Sequence, residues 1–215
     1  MQFNDSYGHL KSAMQGFLHG WHAGCGKPVV VDKNRAWLHC IELLLYLDPT
    51  AKIVVPIREL GQIYGSIEAQ HQKTILLDFI DHLADFDRFG RADQLFGKDK
   101  AIGAPLSSVQ AVQDLPQAVK GRLYFVKFED LMAQSVETIA KVYAWLEVTP
   151  YSVDPAKLTV SAHESDSHYR YKYLHNQKTK IPLLGRHNIP PRIQDLIEQA
   201  CGWYYEWFYP DWKKR

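Results

Sequence analysis

The chain has 215 residues, a formal net charge of +1 at pH 7, and a composition that is 46% hydrophobic and 13% aromatic. This length and apolar content exclude wholesale disorder and indicate a single domain with a substantial core. Because the charge is close to zero, no global field attracts nucleic acid or a membrane, so an anion site must be local. The three widely spaced cysteines predict a reducing compartment. Together with the lack of a membrane-length apolar run or a signal-peptide core, they predict a cytoplasmic location.

The first part of the chain predicts helices and short strands in alternation. Apolar residues at intervals of three and four predict a helix over residues 6–22. Three consecutive valines predict a short buried strand over residues 29–31, and a broad apolar face predicts a helix over residues 36–47. A second β-branched run predicts a strand over residues 53–57. The two strands and the helix between them would form a βαβ unit with parallel strands and a right-handed crossover.

The second half of the chain is less regular in its patterns. A helix is predicted over residues 75–86. Residues 87–107, dense in charge and glycine, predict a loop or lid beside a ligand crevice, or else a solvated excursion without chemistry. A third strand is predicted over residues 123–128 and a helix over residues 136–147. Two prolines begin the last predicted helix, residues 190–208, which carries an aromatic stripe.

Arg58 stands at the carboxyl end of the strand predicted over residues 53–57, and a helical pattern begins directly after it. Ser66 lies about two turns into that helix, so a guanidinium and a hydroxyl can be directed at one small volume. In open α/β sheets the ligand crevice lies at the carboxyl ends of the strands, where helix amino termini add dipoles and free N–H groups. Such a volume suits a phosphate. The alternative is a salt bridge from Arg58 to a nearby acid and a Ser66 that only packs.

Three stretches together carry a family resemblance. They read PVVVDKNRAW over residues 28–37, KIVVPIRELGQIYGS over residues 52–66 and YFVKFEDL over residues 124–131. In this order they resemble the sulfotransferase family, whose members transfer a sulfonyl group from 3′-phosphoadenosine 5′-phosphosulfate (PAPS) to a hydroxyl or an amine. The resemblance implies an α/β fold of the P-loop NTPase type, with a mainly parallel sheet and flanking helices. It implies one domain, with an α/β core over residues 28–148 and a mostly helical part over residues 149–215.

The resemblance also implies which residues would bind the cofactor. Arg58 and Ser66 would hold the 3′-phosphate of PAPS, and Arg186, near the carboxyl end, would add a further charge there. The ring of Phe128, which stands where the family often has tyrosine, would lie against the adenine. Packing in the core is the alternative role for Phe128.

Two further residues are implied to act at the reacting end of the cofactor. Lys33 looks like the lysine that follows the equivalent strand in the family, and its ammonium would stabilise charge that develops on the leaving and sulfonyl oxygens. The acceptor hydroxyl needs a general base, and Asp32 is the candidate because no histidine stands at this place. In the alternative interpretation Asp32 caps the following helix and Lys33 is a surface charge.

One part of the family pattern has no counterpart ahead of Val29, namely the glycine-containing loop that holds the 5′-phosphosulfate. We therefore expect a fold that is incomplete at the amino terminus. The chain would be a fragment of a longer product, would receive the strand from another segment or a second copy, or would be an inactive relative. Two functions stay open: sulfonyl transfer to an unidentified small-molecule, carbohydrate or peptide acceptor, and a non-catalytic module that binds a nucleotide or a partner.

Neither a metal site nor a nucleic-acid interface is predicted. Residues 163–175 contain three histidines and two acids, but their intervals match no pattern of metal ligands. Residues 169–173 alternate aromatic and basic side chains, as some proteins that bind single strands do, yet five residues in a nearly neutral chain are thin support.

Overall fold

The structure, a computed structural model, describes residues 3–34, 36–73, 82–158 and 185–212. It is an α/β arrangement in which helices predominate. The helices are Phe3–Ala23 (α1), Ile41–Leu47 (α2), Leu60–Lys73 (α3), Arg88–Phe96 (α4), Gly103–Ala111 (α5), Gln117–Lys120 (α6), Phe128–Ala133 (α7), Ser135–Leu146 (α8), Pro191–Ala200 (α9) and Gly202–Phe208 (α10). The strands are Ile53–Ile57 (β1) and Leu123–Lys127 (β2), and 3-10 turns occupy Leu83–Asp85 and Val112–Asp114. Within these ranges no helix is long and apolar enough to span a bilayer.

The two strands form a parallel pair in which Ile53 lies opposite Leu123. Both had been predicted from their apolar runs, and both predictions are confirmed. The second strand is one residue shorter than predicted because Phe128 already begins α7. Their carboxyl ends therefore lie side by side at one edge of the sheet.

The outer edge of β1 contains a proline that the sheet tolerates without loss. The N–H of Ile53 donates to the carbonyl of Arg122 at 2.9 Å. In a parallel ladder alternate residues bond to the same neighbour, so the backbone groups of Val54 and Pro56 are directed away from β2. Pro56 has no N–H to give, and at this position none is required.

The strand predicted over residues 29–31 is wrong, and with it the βαβ unit. These valines lie outside any strand, and their side chains are 50%, 40% and 84% exposed. The helix predicted after them begins only at Ile41, after a turn. Val and Ile stabilise a strand when an adjacent strand and a packed face are present, and these three residues have neither in the described part of the chain.

The loop predicted over residues 87–107 is also wrong, because α4 and α5 occupy most of it. Asp87 caps α4 by accepting the N–H of Gly90 at 2.7 Å, and Ala92 and Leu95 of that helix are buried. Arg88, Arg91 and Asp93 lie on the other faces of this helix, and Lys98, Asp99 and Lys100 lie in the exposed turn that follows it. Charge density was therefore a poor guide where a cap and a narrow apolar stripe were present.

The remaining helix predictions are mostly confirmed. The helix predicted over residues 136–147 is α8, and the pair of prolines does begin a helix at Pro191. The last helix is interrupted at Cys201, which separates α9 from α10. Of the helix predicted over residues 75–86, residues 75–81 lie outside the described residues, and a 3-10 turn follows them.

The core packs α3, α9 and α10 onto the sheet. Leu60 and Tyr64 of α3 and Ile193 of α9 are 0–1% exposed, and each such side chain stabilises the fold by about 1.5–3 kcal/mol. Tyr204 of α10 donates its hydroxyl to the carbonyl of Arg58 at 2.9 Å. This contact fixes the backbone at the carboxyl end of β1.

Candidate functional site

A cleft of about 490 Å³ opens at the edge where β1 and β2 end. Both strands deliver a basic residue to it, Arg58 directly after β1 and Lys127 as the last residue of β2. The lining residues come from four segments: Arg58, Glu59 and Gln62; Lys127, Glu129, Asp130 and Ala133; Gly185 and Arg186; and Tyr209, Pro210, Asp211 and Trp212.

Each of the three cations in the cleft lies over an aromatic ring. The distances to the ring centroid are 4.6 Å for Arg58 over Phe128, 5.1 Å for Lys127 over Tyr209 and 5.7 Å for Arg186 over Trp212. Within the described ranges none of these cations has a carboxylate oxygen within 4.0 Å. A ring orients a cation without neutralising it. The rings thus orient the three cations without forming ion pairs with them, and four acids, Glu59, Glu129, Asp130 and Asp211, line the same cleft.

Glu59 lines the cleft, but its carboxylate is committed to the fold. It is 2% exposed and accepts the backbone N–H groups of Gly61 and Gln62, both at 2.9 Å. It also accepts the hydroxyl of Tyr205 at 2.6 Å. Glu59 is therefore the amino-terminal cap of α3, and neutral donors rather than cations satisfy its charge.

Glu129 accepts a hydrogen bond from the neighbouring backbone N–H group, that of Glu59. Its carboxylate accepts the N–H of Glu59 at 3.1 Å and the hydroxyl of Tyr209 at 2.9 Å. The sequence led us to expect free N–H groups at the start of α3, and this is wrong for Glu59, Gly61 and Gln62. An anion in this cleft would therefore be bound by side-chain cations, not by the helix terminus.

The environment of Arg58 keeps a charged group in a partly shielded place. Burial lowers the pKa of Arg58, and the negative charges of Glu129 and Glu59 act in the opposite direction. An arginine stays protonated through the neutral range even so. Partial burial strengthens its interaction with an incoming anion, because less water screens the two charges.

Three of the predicted cofactor-binding residues come together. Arg58 and Arg186 line the same cleft, although 128 positions separate them, and the ring of Phe128 lies beneath the Arg58 guanidinium. Ser66 is half-buried in the second turn of α3 and is not among the residues that line the cleft. The alternative interpretation was a salt bridge from Arg58 to a nearby acid. In the described residues Arg58 forms no such ion pair.

The two predicted catalytic residues lie elsewhere. Asp32 and Lys33 are exposed, in the irregular segment between α1 and α2, and neither lines the cleft. Asp32 accepts the indole N–H of Trp37 at 3.1 Å, which differs from the helix cap considered for it. The role of both residues at a sulfonyl group stays a prediction.

Sequence reasoning missed several residues of the cleft. Lys127 ends β2 as Ile57 ends β1, directly opposite it in the register, so the rule that selected Arg58 also indicates Lys127. Tyr209 and Trp212 follow the last helix, and no pattern in the sequence distinguishes them from the aromatic stripe before them.

Comparisons of the chain with protein-family models, with curated proteins and with solved structures find no match.

Proposed function

We propose that the cleft binds the phosphate of a nucleotide and that the protein is a PAPS-dependent sulfotransferase of the P-loop type, acting in the cytoplasm on a hydroxyl or amine acceptor. One observation carries the proposal: Arg58, Lys127 and Arg186 line one cleft and have no carboxylate partner within the described residues. A phosphate dianion would act as the ion-pair partner of these cations, and each charged hydrogen bond would contribute about 1.5–3 kcal/mol to binding. The volume of about 490 Å³ is in the range of small-molecule sites.

Each basic residue of the cleft would have its own role in binding the 3′-phosphate. Arg58, with its planar fork of donors, and Arg186 would hold the 3′-phosphate, and Lys127 would add a third charge to the same anion. Phe128 keeps the Arg58 guanidinium in place from below.

When bound, PAPS would supply the sulfonyl group, which passes to the acceptor oxygen or nitrogen as its bond to the 5′-phosphate oxygen breaks. Lys33 would stabilise the negative charge that this bond leaves on oxygen, and Asp32 would take the proton from the acceptor. Both roles require the segment between α1 and α2 to lie beside the sulfonyl end of the cofactor.

A second candidate is a non-catalytic module that binds the nucleotide without turning it over. The observation that favours it is the exposure of Asp32 and Lys33, both outside the cleft. This candidate predicts the same phosphate contacts to Arg58 and no transfer of the sulfonyl group.

Calorimetry with 3′-phosphoadenosine 5′-phosphate (PAP) tests the phosphate site. We expect Arg58→Ala to bind PAP about 10- to 100-fold more weakly than the wild type, because at least one charged hydrogen bond is lost. Arg192→Ala is the matched control, since Arg192 lies over Phe89 and does not line the cleft. A wild-type protein that does not bind PAP, or an Arg58→Ala variant that binds it equally well, would refute the proposal.

A transfer assay separates the two candidates. Radiolabelled PAPS is incubated with the wild-type protein and a mixed panel of hydroxyl and amine acceptors. Labelled product identifies a sulfotransferase, and PAP binding without labelled product identifies the non-catalytic module.

A further inference from the structure

Residues 187–189 cross the first two turns of α3, and two reciprocal hydrogen bonds hold His187 there. The side-chain amide of Gln62 donates to the carbonyl of His187 at 3.1 Å, and the N–H of His187 donates to the amide oxygen of Gln62 at 2.7 Å. One primary amide thus satisfies both backbone groups of one residue, much as a neighbouring strand would. Gln62 is 7% exposed, so water competes little for these bonds.

The surface of α3 one turn farther on fits the same segment. A Cβ atom at Gly65 would lie 2.5 Å from the Cβ of His187 and 2.5 Å from the Cδ1 of Ile189. Only a residue without a side chain allows this approach. Gln62 and Gly65 are three positions apart and therefore share a face of the helix, which is the face that residues 187–189 contact.

Arg186 directly precedes His187. The pair of hydrogen bonds between Gln62 and His187 is called the tether below. Its guanidinium lines the cleft and lies over Trp212, and the indole N–H of Trp212 donates to Glu198 at 2.6 Å. The side chain of Arg186 is thus oriented by a fixed ring, and its backbone is oriented by the neighbouring His187. Without the tether, binding of an anion would have to order this backbone at a cost in conformational entropy.

We propose that Gln62 is a positioning residue that fixes the backbone at His187 so that Arg186 reaches the anion held by Arg58. This inference rests on the proposed function, because it concerns the same phosphate site. It assigns Gln62 no direct contact with the ligand, and its whole effect on affinity passes through Arg186.

A double-mutant cycle tests this dependence, with the PAP affinity of the full chain measured by calorimetry for the wild type, Gln62→Ala, Arg186→Ala and the double variant. We expect Gln62→Ala to weaken binding about tenfold, as the loss of two hydrogen bonds allows. We expect the double variant to bind no more weakly than Arg186→Ala. Effects of the two substitutions that multiply would show that Gln62 acts apart from Arg186 and would overturn the proposal.

The matched control is Gln72→Ala, which removes the same side chain from an exposed position of the same helix, where Gln72 bonds to Glu68 at 3.1 Å. It should leave the affinity unchanged. The cap of α3 survives Gln62→Ala, because Glu59 binds the backbone N–H of Gln62 and not its side chain.

Hydrogen exchange of the His187 amide, measured by NMR without ligand, tests the Gln62–His187 hydrogen bonds independently of PAP binding. We expect exchange to be at least tenfold faster in Gln62→Ala than in the wild type, and unchanged in Gln72→Ala. If the His187 amide exchanges at the same rate in Gln62→Ala and in the wild type, the proposed positioning role of Gln62 is refuted, regardless of the PAP affinities. If the wild type does not bind PAP, the proposed function fails and the role of Gln62 in affinity fails with it.

Discussion

Glu59→Ala should destabilise the fold more than most single substitutions, since it removes the acceptor for several donors at once. Gly61 and Gln62 would lose the cap of their backbone N–H groups, which costs about 0.5–2 kcal/mol. The hydroxyl of Tyr205, on a residue only 3% exposed, would lose an acceptor at 2.6 Å, which costs about 1–3 kcal/mol. Gln194 loses little, because it also bonds to Glu198 at 2.9 Å.

These losses add to about 3 kcal/mol, after allowance for the desolvation cost that disappears with the buried charge. For a chain of this length that corresponds to a melting temperature about 6–12 °C lower. Urea titration at pH 7, followed by circular dichroism, measures the change, provided that the slope is the same in both proteins. Glu147→Ala is the control, since its carboxylate is 82% exposed in an ion pair with Lys52, and its effect should stay below about 1 kcal/mol.

A second cycle decides whether the network is the cause. Tyr205→Phe removes only the hydroxyl, so its effect should be largely absent when Glu59 is already alanine. An unfolding free energy of Glu59→Ala within about 0.5 kcal/mol of the wild type would refute the reasoning. So would a Tyr205→Phe effect that is equal in both backgrounds.

The other predictions concern the cleft, a close backbone approach and a buried ion pair. Glu129→Gln should strengthen PAP binding about three- to tenfold in calorimetry, because one like charge near the anion is removed while the amide can still bond to its two neighbours; weaker binding would contradict this. Gly103→Ala should lower the urea midpoint sharply, since a Cβ there would lie 1.9 Å from a backbone carbonyl oxygen. Gly16→Ala, with nothing within 4 Å, should raise the midpoint slightly, and equal effects would contradict the packing. Burial raises the pKa of Glu68, but its hydrogen bonds and charge interaction with Arg91 outweigh this, so the folded-state pKa lies below the ordinary value of 4.5. Such a carboxylate stabilises the fold above about pH 4.5 and loses this effect as the pH falls through the folded-state pKa. Glu68→Gln should therefore be less stable at pH 7 by about 3 kcal/mol, and urea titrations at pH 7, 5, 4 and 3 should show the gap to the wild type narrowing; a constant gap would contradict the assignment.

The sequence was a good guide where local pattern and tertiary structure agree. The strand at residues 53–57 was predicted with its observed bounds, because β-branched residues there also find a neighbouring strand. The position of Arg58 at the mouth of a cleft followed from the general rule that parallel strands end at a ligand crevice. The valines at residues 29–31 have the same local preference, yet in the described part of the chain they pair with nothing.

The rest of the cleft depended on contacts between distant segments. Gln62 and His187 are 125 positions apart, and their pairing is not encoded in any local spacing. The capping of α3 by Glu59 was missed because glutamate is uncommon at a helix cap and because its other partner, Tyr205, lies 146 positions later. Helix periodicity could indicate which face of α3 is apolar, but not which segment would cross it.

The proline in β1 gives the two-stranded sheet unequal sides. On the far side of β1, only Val54 could donate a backbone N–H hydrogen bond to an added strand, because the nitrogen of Pro56 carries no hydrogen. On the far side of β2 the residues of matching parity, Leu123, Phe125 and Lys127, each present a complete amide. Any further strand recruited to this sheet should therefore gain more backbone pairing by extending it from β2, and lengthening the sheet in the opposite direction would leave a gap in the ladder.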